Sequence, residues 1–437
     1  MADQHSKRYN RFSNKRKTIH DEEEQTLTLS RCTVRSSSSS SNQFKAIQSY
    51  SYKRHSEWKT SRRLDSTSMH VYRKWTYSDC DSSDYKDRIV LVTYNILGVE
   101  NASKHPHLYF GVPFKYMKWE HRRAAICKEL ARYGPSIICF QEVDCYSDLY
   151  VALQQDGYEG VLKARTGDAQ DGCAIFWNHE RFNLLHEESI EFQSFGLRNN
   201  VAQFCVLKMN ADSFNPEPKM SKSISLVVGN IHVLFNPNRG DIQLGQIRLF
   251  LDRAHRLSEE WGGIPVVLGG DFNSVPQSAA YQYISSAKLD ILQHDRKRVS
   301  GQIQMPLCHA FSTKGPFRNG RQKPSICRWT DEELKIASGS EEVTCLQHSL
   351  KLHSAYHGVP GSVTTRDDIG EPLATSFHCN FMGTVDYIWH SDQLVPVRVL
   401  ETLPINALEK LGGLPSKNWG SDHLALVCEF GFANTEA

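Results

Sequence analysis

The sequence holds 12 cysteines but no C-x-x-C pair and no Cys/His spacing of the zinc type, which removes a structural zinc module from consideration. Cysteines such as Cys139 in Ile137-Ile138-Cys139-Phe140 read instead as small core residues, a usage that fits a reducing compartment. No apolar run approaches the roughly 18 residues of a membrane span, so no membrane segment is expected. An apolar signal segment is missing, and Asp21-Glu22-Glu23-Glu24 speaks against a transit peptide; nucleus and cytoplasm are the expected locations. There is no G-x-x-x-x-G-K-[ST] loop to cradle a nucleotide and no nucleophilic serine elbow. No repeat of 20–50 residues is present, leucine-rich or other. With a net charge of only +2, the chain has no global basic field to recruit nucleic acid.

What is present is uneven. The 437 residues, 40% hydrophobic and 10% aromatic, can bury a large core, as one α/β domain with a tail or as two or three domains. Residues 1–87 carry 17 Lys/Arg against 11 Asp/Glu, so the remainder of the chain is net acidic. They also hold the serine run Ser36 to Ser41 and the basic cluster Lys15-Arg16-Lys17, and they read as a solvated, disordered basic tail. The cluster also has the form of a nuclear-import signal. Trp75 and Tyr77, with Tyr72, are positioned to tether the tail to the domain.

Order begins at Arg88–Asn95, a β-rich run ending in Asn95. Trp119–Arg132 has helical spacing and stops at Gly134-Pro135. Further strands are expected at Ser136–Phe140, Tyr158–Leu162, Cys173–Trp177, Ser189–Phe192, Val201–Leu207 and Ile224–Leu234. A helix follows at Asp241–Arg256, then Val266-Val267-Leu268-Gly269-Gly270-Asp271-Phe272-Asn273. There the two glycines allow close approach, and Asp271 and Asn273 share a face with Phe272 opposite. Residues 287–374 turn polar and weakly patterned and read as a surface insertion with one helix near Thr330–Ile336. Regularity returns at Gly383–Trp389 and Leu424–Cys428.

Several strands thus bring a polar group to an apolar end: Asn95, Glu142, His232, Asp271 with Asn273, and Asp386, with Asp422-His423 just ahead of another. Singly, each has an ordinary explanation, since Asn and Asp form turns and a strand histidine is commonly a bonded core residue. Their coincidence points to one pocket. Carboxylates, carboxamides and imidazoles without thiolate suit a hard cation such as Mg²⁺. Attack of water on phosphorus is the simplest use of the set.

Tyr94-Asn95, Gln141-Glu142-Val143, Asn230-Ile231-His232, Gly270-Asp271-Phe272-Asn273-Ser274, Val385-Asp386-Tyr387-Ile388 and Ser421-Asp422-His423 together resemble the endonuclease/exonuclease/phosphatase superfamily. Within it the chain is most similar to the carbon catabolite repressor 4-type deadenylases, the group that includes nocturnin and the angel proteins. The segment His232 to Gln246 resembles the angel branch in particular. The resemblance spans roughly residues 88–432 and implies an α/β fold, a four-layer sandwich with two central mixed sheets flanked by helices.

It also implies roles. Glu142 is the main Mg²⁺ ligand with Asn95 beside it, and Asp386 and Asp422 hold the metal shell and the imidazoles. Asp271 orients or deprotonates the attacking water, Asn273 binds the scissile phosphate, and His232 and His423 stabilise the pentavalent phosphorus. Phe381 matches a phenylalanine that stacks on the terminal adenine, while Ser376 stands where the family has an asparagine. The implied activity is Mg²⁺-dependent 3′→5′ poly(A)-specific exoribonuclease action on mRNA tails, releasing 5′-AMP. A phosphatase of 2′,3′-cyclic RNA ends and a non-catalytic RNA-binding adaptor are the alternatives. The implied partners are the poly(A) tail and a deadenylase complex of the carbon catabolite repressor 4–Not type, although the leucine-rich repeats of its founding members are absent.

Overall fold

The computed structural model describes residues 73–80, 85, 87–210, 224–302 and 328–433. All of them belong to one unit, Ala46–Asn319 with Ile326–Ala437; the other unit, Met1–Lys45 with Gly320–Ser325, lies outside the described residues. So do Lys15-Arg16-Lys17, the serine run and Tyr72.

The strands are β1 (Trp75–Tyr77), β2 (Arg88–Asn95), β3 (Ile137–Gln141), β4 (Tyr158–Ala164), β5 (Gly172–Asn178), β6 (Phe182–Glu191), β7 (Val201–Met209), β8 (Ser225–His232) and β9 (Val266–Asp271). They continue with β10 (Lys288–Asp290), β11 (Cys345–Gln347), β12 (Leu352–Ser354), β13 (Ser376–His378), β14 (Phe381–Gly383), β15 (Asp386–Ser391), β16 (Leu394–Leu400) and β17 (Leu426–Phe432). The α-helices are α1 (Val99–Lys104), α2 (Phe114–Met117), α3 (Trp119–Tyr133), α4 (Tyr146–Gln155), α5 (Gly240–Glu260), α6 (Ala279–Ser286), α7 (Asp331–Ser338) and α8 (Ile405–Leu411).

Because strand side chains alternate between faces, a strand apolar on both faces must be covered twice. β2 shows this: Ile89 and Leu91 pack into one cluster with residues of β3, β7, β8 and β17, while Val92 and Tyr94 pack into another with Ile126 and Leu130 of α3. One sheet has the order β1-β16-β17-β2-β3-β5-β4 and the other β12-β15-β9-β8-β7-β6. The first cluster fills the seam between them. The outer face of the first sheet is covered by α3 and α4, that of the second by α5, α6 and α7. This is the expected four-layer sandwich. Each sheet is mixed, with β2 parallel to β3 and β8 parallel to β9. Both parallel pairs are joined through a helix, α3 and α5, as such crossovers require.

Most element boundaries follow from local chemistry. α3 stops where Gly134 takes φ 55, the left-handed cap that glycine adopts without strain. α7 opens with the capping box Thr330/Glu333. Where expectation and structure differ, long-range packing decides. β6 begins at Phe182, not Ser189, because its inward face carries His186 and Glu188 and a register shift falls between Leu184 and His186, which break the period of two. The strand β16 and the helices α4 and α6 had no expected counterpart.

Residues 287–374 are not a surface insertion in their described parts. Leu289, Ile291, Val299, Leu346, Leu350 and Leu352 join the core beneath α5, and β12 pairs with β15. The polar residues between them are what mask this contribution in the sequence.

The ordered body also starts before residue 88. β1 pairs antiparallel with β16, so the tether expected of Trp75 is a strand at the sheet edge. Arg73, ahead of β1, is buried: its guanidinium pairs with Glu129 at 3.0 Å and donates to the carbonyls of Glu401, Leu400 and Ala425. Burial pushes the Glu129 carboxyl up, and the charge of Arg73 and donors on Tyr133, Arg73 and Tyr94 oppose this. Removing one member of a buried pair strands the other charge, at about 3–5 kcal/mol. Arg73→Ala is therefore expected to lower unfolding stability in urea by about that amount; a loss under about 1 kcal/mol would show that the residue is not part of the folded body.

Candidate active site

The alternation that fills the seam also builds the site. In β2 the seam-facing residues run Ile89, Leu91, Thr93, Asn95. In β3 they run Ile137, Cys139, Gln141, and in β8 Leu226, Val228, Asn230, His232. In β9 the phase of Val267 continues through Gly269 to Asp271, and in β15 Ile388 shares its face with Asp386. Along each strand the apolar series ends in polar groups, and register aligns the ends: Asn95 opposite Gln141, His232 opposite Asp271, Asp386 opposite Asp271. All of these polar side chains therefore enter the same end of the seam. At Gly269 a Cβ would lie 3.0 Å from Thr93 of the facing sheet, and at Gly270 it would lie 2.3 Å from the Ile231 carbonyl oxygen. These glycines are what allow the sheets and strands to approach so closely here.

A carboxamide layer separates the site from the apolar seam. Gln141 Nε2 donates to Asn230 Oδ1 (2.8 Å) and Thr93 Oγ1 (3.0 Å), and Asn230 Nδ2 donates to the carbonyls of Phe140 (2.8 Å) and Ala174 (3.0 Å). All are fully buried, and although Gln141 Oε1 has no partner, the bonds made at this depth fix geometry.

Above this floor Asn95 Nδ2 lies 3.1 Å from Glu142 Oε1 and 3.0 Å from Asp271 Oδ2. Glu142 follows Phe140 by two residues and by alternation belongs on the α3 side. Its φ of 58, rare for a residue with a Cβ, turns it back toward the seam. Gly98 N–H and Asn101 Nδ2 each donate to Glu142 Oε2 at 2.9 Å. Burial alone would raise the Glu142 carboxyl, but the His232 charge and the donors from Asn101, Asn95 and Gly98 hold it below its ordinary value.

Asn273 also has a left-handed φ, 47; its N–H donates to Asp271 Oδ1 (2.9 Å) and its Nδ2 to the Val233 carbonyl (2.9 Å). His232 Nε2 stands 3.6 Å from Asp271 Oδ2 and His423 Nε2 3.9 Å from the same atom. His423 Nδ1 is 2.8 Å from Asp386 Oδ2. Burial works to lower the His423 pKa, yet Asp386 and the neighbouring carboxylates raise it well above the ordinary value. Burial and the charge of Asp386 push the Asp271 carboxyl up, against the two imidazoles.

Asn95, Glu142, His232, Asp271, Asn273, Asp386 and His423 thus meet in one place. Asp422 borders them: its carboxylate accepts from Tyr109 Oη at 2.8 Å and from Ser421 Oγ at 3.4 Å, and its charge acts on the His423 imidazole. Ser376 and Phe381 lie on the hairpin β13–β14, whose Ser376 bridges to His423.

Asp386 Oδ1 and His232 Nδ1 are buried without a partner, and ligand atoms of Asp271, Asp386 and His423 lie within 4.8 Å of one another. Since His423 Nδ1 and Asp386 Oδ2 are spent on each other, the Glu142 carboxylate is the alternative anchor for a cation, with Asp271 beside it across Asn95 Nδ2, while Asn95 Oδ1 accepts from the Leu97 N–H at 3.0 Å. A thiol-free, oxygen-rich set of this kind fits a hard divalent cation.

Sequence reasoning assigned no role to the supports. Asn101 and Tyr109 lie in a weakly patterned stretch, and their partners are distant in sequence. Arg122, fully buried, donates to the Ile96 and Leu97 carbonyls (2.7 Å each) and so holds the turn that carries Asn95. Asn230 was legible in principle, two residues before His232 in the same strand phase.

Residues 92–423 match the model of the Endonuclease/Exonuclease/phosphatase family. The chain is 53% identical over 391 residues to carbon catabolite repressor protein 4 homolog 5 of Arabidopsis thaliana, covering 87% of this chain and 86% of that protein. It is 48% identical to homolog 3 of the same plant, covering 84% and 80%. Among solved structures it resembles ANGEL2, a 2′,3′-cyclic phosphatase, in complex with adenosine-2′,3′-vanadate, at 30% identity and TM-score 0.66, covering 83% of this chain and 99% of that one. The human nocturnin catalytic domain, at 22% identity and TM-score 0.51 over 83% and 98%, shares the fold.

Each buried polar group left unpaired costs about 1–3 kcal/mol. Asn230→Leu removes the partner of Gln141 and two carbonyls, and is expected to lower unfolding stability by at least about 2 kcal/mol. An unchanged urea midpoint would mean that the carboxamide layer is not a structural floor.

Proposed function

We propose that this chain, which belongs to the endonuclease/exonuclease/phosphatase family, is a Mg²⁺-dependent 3′→5′ exoribonuclease specific for poly(A). Family membership makes it an enzyme acting on nucleic acid or phosphate esters. The finer reading is supported by one observation above others: the convergence of Asn95, Glu142, Asp271, Asn273, His232 and His423 at one end of the seam. That set suits in-line displacement at phosphorus, where charge grows on non-bridging oxygens and on the leaving oxygen.

Glu142 would hold the cation with Asn95 beside it, and the bound cation would supply a Lewis acid for a phosphate oxygen. Asp271 orients the attacking water and takes its proton; its raised pKa suits a carboxylate that must accept one. Asn273 offers its amide to the scissile phosphate. His232 and His423 donate to the phosphoryl oxygens as charge develops, and Asp386 keeps His423 protonated. Water adds to the phosphorus of the last nucleotide, and the bond to the preceding 3′-oxygen breaks. The products are 5′-AMP and an RNA one residue shorter with a free 3′-hydroxyl. Phe381 provides a stacking surface for the terminal base. The same proposal places the enzyme in nucleus and cytoplasm, in association with a deadenylase complex.

A second reading has its own support. The likeness to a 2′,3′-cyclic phosphatase, together with Ser376 in place of an asparagine, favours hydrolysis of cyclic RNA ends. Labelled A-tailed RNA and 2′,3′-cyclic-phosphate oligomers separate the two. The proposal expects a ladder shortening from the 3′ end; conversion of end groups at constant length would overturn it in favour of the second. For Glu142→Ala, divalent-cation affinity and hydrolysis are both expected to fall by more than about a hundredfold, with an unchanged circular-dichroism spectrum. Normal hydrolysis by this variant would contradict the assignment of Glu142.

A further inference from the structure

The hairpin β13–β14 pairs Ser376 with Gly383 and His378 with Phe381, so these four positions share one face. Phe377 and Met382 take the other face and pack against Ala374, Leu403, Leu408 and Leu424. The antiparallel bridge between Ser376 and His423 puts the first face on the side of the His423 imidazole, toward the site.

On that face Ser376 is 3% exposed, so its hydroxyl is covered, and Gly383 offers no side chain. His378 and Phe381 remain, both half-buried, with ring centroids 6.0 Å apart and planes 38° apart. Tyr109 meets His378 edge-on at 6.5 Å while its hydroxyl holds Asp422.

His378 is held in one tautomer. The Asn380 N–H donates to His378 Nδ1 at 3.3 Å, which leaves the hydrogen of a neutral imidazole on Nε2. No protein group among the described residues bonds Nε2. Burial favours this neutral form, and the imidazoles of His423 and His107 act in the same direction against Asp422. The face therefore presents an aromatic surface with one N–H donor beside it.

We propose that His378 is a binding residue for the terminal nucleobase: its Nε2–H donates to a ring-nitrogen or carbonyl acceptor of the base stacked on Phe381. A nucleobase is the ligand that offers both a π-face and an in-plane acceptor. Ser376, covered and short, cannot supply the donor; His378, two residues along the same strand, does. This assignment rests on the RNA-end reading given under Proposed function.

Steady-state kinetics of the full chain on the ten-residue oligomer A10 test it. His378→Phe keeps an aromatic ring and removes the donor; KM is expected to rise about tenfold with kcat within about twofold. His378→Gln returns an N–H donor and is expected to recover most of the loss, which a merely structural role would not produce. An unchanged KM in His378→Phe, a fall in kcat alone, or no recovery in His378→Gln would each overturn the assignment. If wild type leaves A10 intact and converts only its 2′,3′-cyclic-phosphate form, the same variants are read on that substrate by the same criteria. Wild type inert on both would sink the functional reading and this one together.

Discussion

The contact between Asn95 of one sheet and Asp271 of the other, 3.0 Å across the seam, is the constraint on which the site depends. Two sheets that share an apolar seam must end somewhere, and at this end the seam-facing positions turn polar together. Because the side-chain period of a strand is two, a one-residue slip in β2 or β9 would send Asn95 or Asp271 to the helix side. The apolar residues below, Leu91, Cys139, Val228, Val267 and Ile388, thus set the phase of the site above. Packing and chemistry are here one decision.

Charge is the second constraint. Asp271 and Asp386 are buried and Glu142 is half-buried, and isolated carboxylates at that depth are unfavourable. The fold answers with donors and imidazoles: Gly98, Asn101 and Asn95 toward Glu142, His423 toward Asp386, His232 toward Asp271. These partners leave Asp386 Oδ1 and His232 Nδ1 unsatisfied, which is the mark of a site built to hold a ligand. The left-handed φ of Glu142 and of Asn273 fits the same view. Strain is stored where a side chain must point against its strand's alternation.

Much of this was legible in the sequence. Asn95, His232 and Asp271 announce themselves because each closes a strongly apolar strand, and Asp386 because it opens one; alternation alone assigns their face. Glu142 was legible by type, but its direction was not, since only the backbone turn at that residue brings it into the seam. For Asp422 the sequence suggested a place beside the shell, and its charge does act on His423, but its support by Tyr109, over 300 positions earlier in the chain, was not legible. The tail boundary was set too late for a similar reason, because the partner of Arg73 is Glu129 on α3. Residues 287–374 misled because their core contacts are single apolar residues among polar ones, and no periodic signal survives such spacing.

The account stands on a divalent cation that the Glu142 carboxylate would hold, with Asn95 beside it. Anomalous diffraction from crystals soaked in Mn²⁺ tests this most directly. The account predicts a single strong peak within about 2.0–2.3 Å of a Glu142 carboxylate oxygen, at the open end of the seam. A peak elsewhere, or none here at saturating Mn²⁺, would contradict it.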